Sequence, residues 1–239
     1  MNVFKNTHKG AATRQRVFDT ALALFRTKGF EATTMRDVAT GAGLSLGAAY
    51  HYFDGKDAIV AEYYDEVQEQ HAERVRKRLG QLPKLADRLK LALHAKLDIL
   101  AGDRALLGAL LRYTGEPLHP LSFLGRGTRE IQLRSMAVFA DAVADEPMPD
   151  DVRALSPVLL WAMHMGVMLY FLYDESPGQR RTRALIDRGV DLFVGSLRIA
   201  KLPPLRPIRA RVRTMLDEAG LIPSAENIAR FRGTTPVHS

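Results

Sequence analysis

Apolar residues recur at helical spacing along almost the whole chain. Over 13–28 they fall at Val17, Ala21, Leu24 and Phe25, the i, i+4, i+7, i+8 stripe of an amphipathic helix, and Gly29 stops it. "TTMRDVA" then opens a second helix, with Thr34 at the cap and Asp37 three residues on, a capping-box spacing that satisfies free N–H groups. Gly43 ends that helix, because glycine reaches the left-handed conformation a sharp turn needs. Ser45 can cap a third helix over 46–52. Gly55 and Lys56 open a fourth that runs to about Arg78, and its basic end "ERVRKRL" suits the negative pole of the helix dipole.

The same period continues over 83–101, 103–114, 127–144, 150–174 and 179–202, punctuated by "GEPLHP", "DEPMPDD" and "SPG". No repeat or low-complexity tract interrupts it, so the pattern predicts an all-α fold. Within 150–174, "VLLWAMHMGVMLYFLY" is apolar nearly all round and must be buried on most faces. The next helix carries Leu185, Ile186, Val190, Leu192, Phe193, Val194 and Leu197, more apolar surface than one face of a monomer requires.

Three short helices with a glycine turn between the second and third make a helix-turn-helix pattern, at about 34–53. The second helix of such a pair enters the DNA major groove with its N-terminal residues toward the bases. That explains an odd stretch, "GLSLGAAYHYFDGK". A core helix would carry large aliphatic residues where this one has Gly47, Ala48 and Ala49, and a surface helix would carry Lys and Glu. Small side chains let the backbone approach base edges and phosphates, while Tyr50, His51 and Tyr52 offer donors on stiff rings. Phe53 and Leu44 would face inward. Taken singly, Tyr50 and Tyr52 also read as core aromatics, His51 as a surface histidine and Lys56 as a solvated lysine.

Over 11–71 the motifs together resemble the DNA-binding domain of the TetR family of transcriptional repressors. The "LF…G" ending of the first helix, "TTMRDVA", "AGLS" and "YHYFDGKDA" stand in the family's order and spacing. The resemblance implies that Arg36, Leu46, Gly47, Ala48, Tyr50 and His51 approach bases or nearby phosphates. It implies that Thr34, Ser45, Tyr52 and Lys56 mostly hold the DNA backbone. Leu46 stands where Lys, Arg, Gln or Pro is common in the family, Ala48 where Thr or Ser is, Ala49 where a larger aliphatic residue is, and Gly55 where a Ser often caps the fourth helix. Leu46 and Ala48 are limited to apolar contacts such as thymine methyls.

The resemblance extends the fold to an N-terminal three-helix DNA-binding domain joined by a long helix to a larger helical ligand-binding and dimerisation domain, here 75–200. It implies a homodimer in which 150–174 and 179–200 pair with their copies, through Leu185, Val190, Leu192, Phe193 and Leu197; an intramolecular core is the alternative. It also implies an effector pocket. Polar or adaptable groups on apolar helices are the candidate lining: His94, Tyr113, Trp161, His164, Met165, Met168 and Tyr173. Each of them reads equally as core. The expected partners are a double-stranded DNA operator, a second copy and a largely apolar small molecule, with a fourth helix of roughly 34 Å acting as a lever between pocket and DNA.

Composition narrows the remaining classes. The 239 residues are enough to bury a sizeable core, and a net charge of +7 with pI near 9.8 fits an anionic partner. No cysteine is present, which excludes disulfides and cysteine zinc sites and fits a cytoplasmic location. No apolar run reaches the roughly 18 residues of a membrane span, and "MNVFKNTHKGAATRQR" lacks a signal-peptide core. The seven histidines, at 8, 51, 71, 94, 119, 164 and 238, show no pair at metal-ligand spacing, and no glycine-rich phosphate loop occurs. The sequence therefore predicts no enzyme, no metal and no cofactor.

The tail, 201–239, carries seven Lys/Arg against three Asp/Glu, and Leu205, Ile208, Val212 and Leu216 form a helical stripe within it. That stripe needs a surface, so docking onto the ligand domain or onto the partner subunit is expected over an extra DNA contact. The functional expectation is a ligand-released repressor. Its rivals are a helical small-molecule sensor without sequence-specific DNA binding, and an activator or dual regulator.

Overall fold

The computed structural model describes residues 3–232, with side chains from Lys9 onward, so the His8 side chain and the last seven residues of the basic tail, His238 among them, lie outside what is described. The helices are α1 Val3–Thr27, α2 Met35–Gly41, α3 Leu46–Tyr52, α4 Lys56–Leu79, α5 Leu85–Leu100, α6 Arg104–Thr114, α7 Arg129–Ala142, α8 Asp150–Tyr173, α9 Arg180–Ala200, α10 Arg206–Glu218 and α11 Ala225–Ala229. Among the described residues there is no strand. Helix α1 begins well before Val17, the first position of the apolar stripe.

The chain forms two compact units. The first comprises the chain through Glu66 together with Gly102–Arg129. Its core is Val17, Phe18, Ala21 and Phe25 of α1, Val38 and Ala39 of α2, Ala49 of α3, and Ile59 and Val60 of α4. Phe53 closes α3 against Phe18, with ring centroids 6.4 Å apart. The segment 102–129, which helical punctuation groups with 75–200, packs in this first unit instead. Buried Asp103 accepts hydrogen bonds from Arg26 of α1 at 2.6 and 3.0 Å and from the Tyr63 hydroxyl of α4 at 2.8 Å. Burial opposes the charge of Asp103, yet these donors still hold its carboxyl below the usual range.

The second unit comprises Val67–Ala101 and the chain from Glu130 on. Helix α5 packs on α8 and α9, α8 on α9, and α10 on α8. Leu89, Leu93 and Leu97 of α5, Phe139 of α7, Leu160 and Phe171 of α8 and Ile186 of α9 fill the interior. Helix α4 runs without a break through the boundary between the units. By length and composition α8 is the one described helix apolar enough to cross a membrane, a property the run-length count misses because Arg153, Ser156 and His164 interrupt it. Half of its apolar window is buried inside the chain.

Two polar fastenings hold α8 and α9 together. At the turn, buried Asp174 accepts from the backbone N–H and hydroxyl of Thr182, at 2.8 and 2.7 Å, and from those of Ser176, at 3.0 and 2.6 Å. The carboxylate thus sits on the free N–H groups that open α9. At the other end, Arg209 of α10 donates to Asp151 in the first turn of α8, at 2.6 Å, and to the carbonyls of Ala200 and Leu202 that finish α9. The tail is therefore docked, as its stripe requires. Leu205, Val212 and Leu216 are half-buried, whereas Ile208 stays exposed because Arg209 occupies the inward position beside it. Further along, Ile228 is buried and Arg232 donates to Asp141 at 2.8 Å.

Candidate functional site

The helix-turn-helix is built by its caps. Thr34 Oγ1 accepts from the Asp37 N–H at 3.1 Å while the Asp37 carboxylate accepts from the Thr34 N–H at 2.8 Å, a closed capping box. Lys28 adds an ion pair to Asp37 at 2.7 Å. Hydrogen bonds from Lys28 and Thr34 hold the Asp37 carboxyl down, at about 2. Helix α2 ends in a Schellman turn: Gly43, at φ +68°, donates to Thr40 O at 3.1 Å, and Leu44 donates to Ala39 O at 2.9 Å. Ser45 Oγ then accepts from the Ala48 N–H at 3.2 Å and starts α3.

Helix α3 meets the core through Ala49, which is fully buried. Leu46, Gly47, Tyr50 and His51 face solvent, Ala48 and Tyr52 are half-buried, and the Tyr52 ring meets the His51 ring edge-on at 5.4 Å. A Cβ on Gly47 would meet nothing within 4 Å. Packing within the chain therefore gives no reason for a glycine there, although glycine inside a helix costs about 0.5–1 kcal/mol relative to alanine. Arg36, on α2, is also exposed. Leu46, Gly47, Tyr50 and His51 thus form one open face of α3, and the Arg36 guanidinium is open on α2.

Of the positions expected on DNA, Thr34 and Ser45 spend their hydroxyls on helix caps. Lys56 is engaged internally as well. Its Nζ donates to Phe30 O at 2.7 Å and lies 4.4 Å from the Phe30 ring centroid, which binds the start of α4 to the loop after α1.

The candidate effector residues do not form one group. Tyr113 belongs to the first unit, where its hydroxyl pairs with Glu31 and its ring lies edge-on to Phe30 at 5.4 Å. The other six belong to the second unit. His94 bonds Asp187 at 2.9 Å and borders an open groove of about 380 Å³ together with Arg74, Arg78, Lys90 and Asp98. Trp161 and His164 are buried in the interior, and Met165 and Met168 are half-buried. Tyr173 is 69% exposed and lines no interior.

Around His164 the structure assembles residues that the apolar pattern concealed. The His71 and His164 rings stack at 6.4 Å, Phe139 lies 5.7 Å from His164, and His71 Nε2 bonds Ala92 O at 2.8 Å. Lys96 Nζ donates to Gln68 Oε1 at 2.8 Å. Burial lowers the Lys96 ammonium to about 7 and His164 to about 3, and the Lys96 charge presses His164 further down. The signal was legible: 85, 89, 92, 93, 96, 97 and 100 form the buried stripe of α5, and one of those positions is a lysine.

The candidate dimer residues divide by face. Val190 and Leu197 point into the core, Phe193 is half-buried, and Leu185 and Leu192 are exposed, Leu192 by 75%. The outward stripe of α9 is Leu185, Leu192 and Ile199, and that of α8 is Leu159, Leu169, Tyr170 and Tyr173. Among the described residues no group of three His, Cys, Asp or Glu side chains is placed to hold a metal.

Comparison with known proteins agrees with this geometry. The profile described as bacterial regulatory proteins, tetR family, matches residues 17–63, and that described as tetracyclin repressor-like, C-terminal domain, matches 88–215. The HTH-type transcriptional repressor KstR2 of Rhodococcus jostii is 40% identical over 57 residues, 24% of this chain and 28% of that protein. The HTH-type transcriptional regulator AcrR of Shigella flexneri is 33% identical over 61 residues, 26% of this chain and 28% of its own. Among solved structures, a TetR transcriptional regulator from Nitrosomonas europaea superposes with TM-score 0.59 at 18% identity, covering 75% of this chain and 96% of that one. FadR from Thermus thermophilus, solved in complex with lauroyl-CoA, superposes with TM-score 0.53 at 21% identity, covering 74% and 90%. At these identities the solved structures share the fold.

Proposed function

This chain belongs to the tetR family of bacterial regulatory proteins, a non-enzymatic class of DNA-binding transcriptional regulators, and we propose that it is a repressor released by ligand. In this reading a homodimer binds a palindromic operator in the cytoplasm, and a small, largely apolar effector in the second unit releases it. The outward face of α3 carries the reading: Leu46, Gly47, Tyr50 and His51 are exposed, and the glycine answers to nothing inside the chain. A backbone free to approach a groove, flanked by ring donors, is what direct readout of bases uses. The apolar outward stripes of α8 and α9 support a second copy, and a two-fold pair of reading helices explains a palindromic site. The repressor sense follows KstR2, and the apolar effector is in keeping with the lauroyl-CoA of the Thermus thermophilus FadR complex.

The test is an electrophoretic mobility shift with the intergenic DNA upstream of the chain's own gene. A discrete complex, resistant to competitor DNA and containing two chains, is expected. Absence of any sequence-dependent shift at micromolar protein would favour the sensor reading, in which exposed Leu46 and small Ala48 leave α3 unable to discriminate bases.

A further inference from the structure

Among the described residues, buried Lys96 forms no ion pair. Its Nζ donates to Gln68 Oε1 at 2.8 Å, although an ammonium carries three donors. Gln68 Nε2, and His71 Nδ1 and both ring nitrogens of His164, whose rings feel the Lys96 charge, are buried without a hydrogen-bond partner among the described residues, as is Ser135 Oγ, one turn before the Phe139 ring that borders His164. His71, Lys96 and His164 are each more than nine-tenths buried. Four helices supply the groups. Gln68 and His71 come from one face of α4, Lys96 from α5, Ser135 from α7 one turn before Phe139, and His164 from α8.

Buried polar groups normally find partners, and a buried cation normally finds an anion. Four orphaned polar atoms on residues coupled to one unneutralised ammonium are poor core packing and good pre-organised recognition. We infer that this cluster receives the anionic head of the effector, a single carboxylate carried on a largely apolar body. Lys96 supplies the charge, the Gln68 amide and the His164 ring supply donors to the carboxylate oxygens, and Phe139 borders the apolar part. His71 donates from Nε2 to Ala92 O, which leaves Nδ1 as an acceptor for a hydroxyl or amide on the same ligand. One cation beside imidazoles that burial keeps neutral matches one negative charge, and no arginine fork is present for a phosphate dianion. The inference rests on the ligand-responsive reading above and narrows its effector to an acid.

The experiment uses the full-length protein and the fluorescence of Trp161, the single tryptophan, which lies one helical turn before His164. Acetate, hexanoate, decanoate and 3-phenylpropionate are titrated, each beside its primary amide. At least one acid should bind about tenfold more tightly than its amide, as a charge-assisted contact in a dry site predicts. Lys96→Met, which keeps the apolar stem, should erase that preference. His164→Phe should weaken acid binding and spare the amide. Circular dichroism confirms that both variants fold. Equal binding of acid and amide, a preference that survives Lys96→Met, or no binding by any acid of the series overturns the inference and leaves resident water as the partner of these groups. Mobility shifts on the same samples separate the two claims. DNA binding without acid preference removes only the head-group assignment, and acid preference without DNA binding removes the repressor reading and keeps the site.

Discussion

Lys56 donates to the carbonyl oxygen of Phe30 at 2.7 Å and also sits over that residue's ring, so one side chain holds the entry of α4 to the loop between α1 and α2. Lys56→Ala should lower stability by about 1–2 kcal/mol through the lost charged hydrogen bond and cation–π contact. A phosphate role exists beside this one if the salt slope of DNA binding also falls by roughly one. Denaturant titration reads the first effect and a salt series on operator DNA the second. An unchanged slope leaves Lys56 a purely internal clamp.

Arg36 and His51 stand exposed on α2 and α3. Either residue changed to Ala should leave the melting temperature where it is and relax sequence preference by about 1–3 kcal/mol at the base it contacts. Competition between operator and random DNA measures that ratio. A uniform loss on both DNAs would assign the residue to phosphate instead.

The capping box gives an acid signature. The folded Asp37 carboxyl lies at about 2, below its ordinary 3.8. A depressed acid contributes stability above its unfolded pKa and loses that contribution as pH falls through the folded value. Asp37→Asn should therefore flatten the stability profile between about pH 4 and pH 2. Thr34→Ala should cost about 1 kcal/mol at neutral pH.

Lys96 and His164 also lose stability toward acid, but because burial disfavours their charged forms. With its folded value near 7, Lys96 stays charged and buried below that pH, and stability rises as the pH climbs from about 7 toward 10.5 while the unfolded chain still binds the proton. Lys96→Met should raise stability at pH 6 and make little difference near pH 10. His164, at about 3, costs stability as pH falls from 6.5 toward 3, because only the unfolded chain then takes up a proton. His164→Phe should remove that loss. Thermal melts over pH 4–10 follow both changes.

Neighbouring residues of α9 separate assembly from folding. Leu192 is 75% exposed and Val190 is fully buried. Leu192→Asp should give a folded monomer by light scattering and circular dichroism. Val190→Asp should lose the fold, because an uncompensated charge enters the core. A wild-type monomer at micromolar concentration would end the dimer proposal.

Local chemistry was the readable part of this molecule. Thr34 with Asp37, the glycine at 43 and Ser45 placed α2, its turn and α3, because each cap works within four residues. Contacts between distant segments were not readable. Arg26 meets Asp103 and Arg209 meets Asp151 across stretches that no spacing rule spans, so the place of 102–129 and the path of the tail emerged only in three dimensions. The place of Tyr113 in the first unit follows from such contacts, and the exposure of Tyr173 is invisible in sequence because a ring on an apolar helix looks the same from either side. Lys96 is hidden from the periodicity because the rest of its stripe on α5, apart from Arg88, is apolar.

The two fastenings of α8 and α9 have a mechanical corollary. A hairpin tied at its turn by Asp174 and at its open end by Arg209 resists both splaying and sliding of one helix along the other. It behaves as a stator, and strain entering the second unit is passed on to the helices packed against it. Severing the Arg209 tie converts the stator into a spring. A chain ending before α10 should therefore soften the response of the protein to its ligand even though no residue proposed to touch ligand or DNA has been removed.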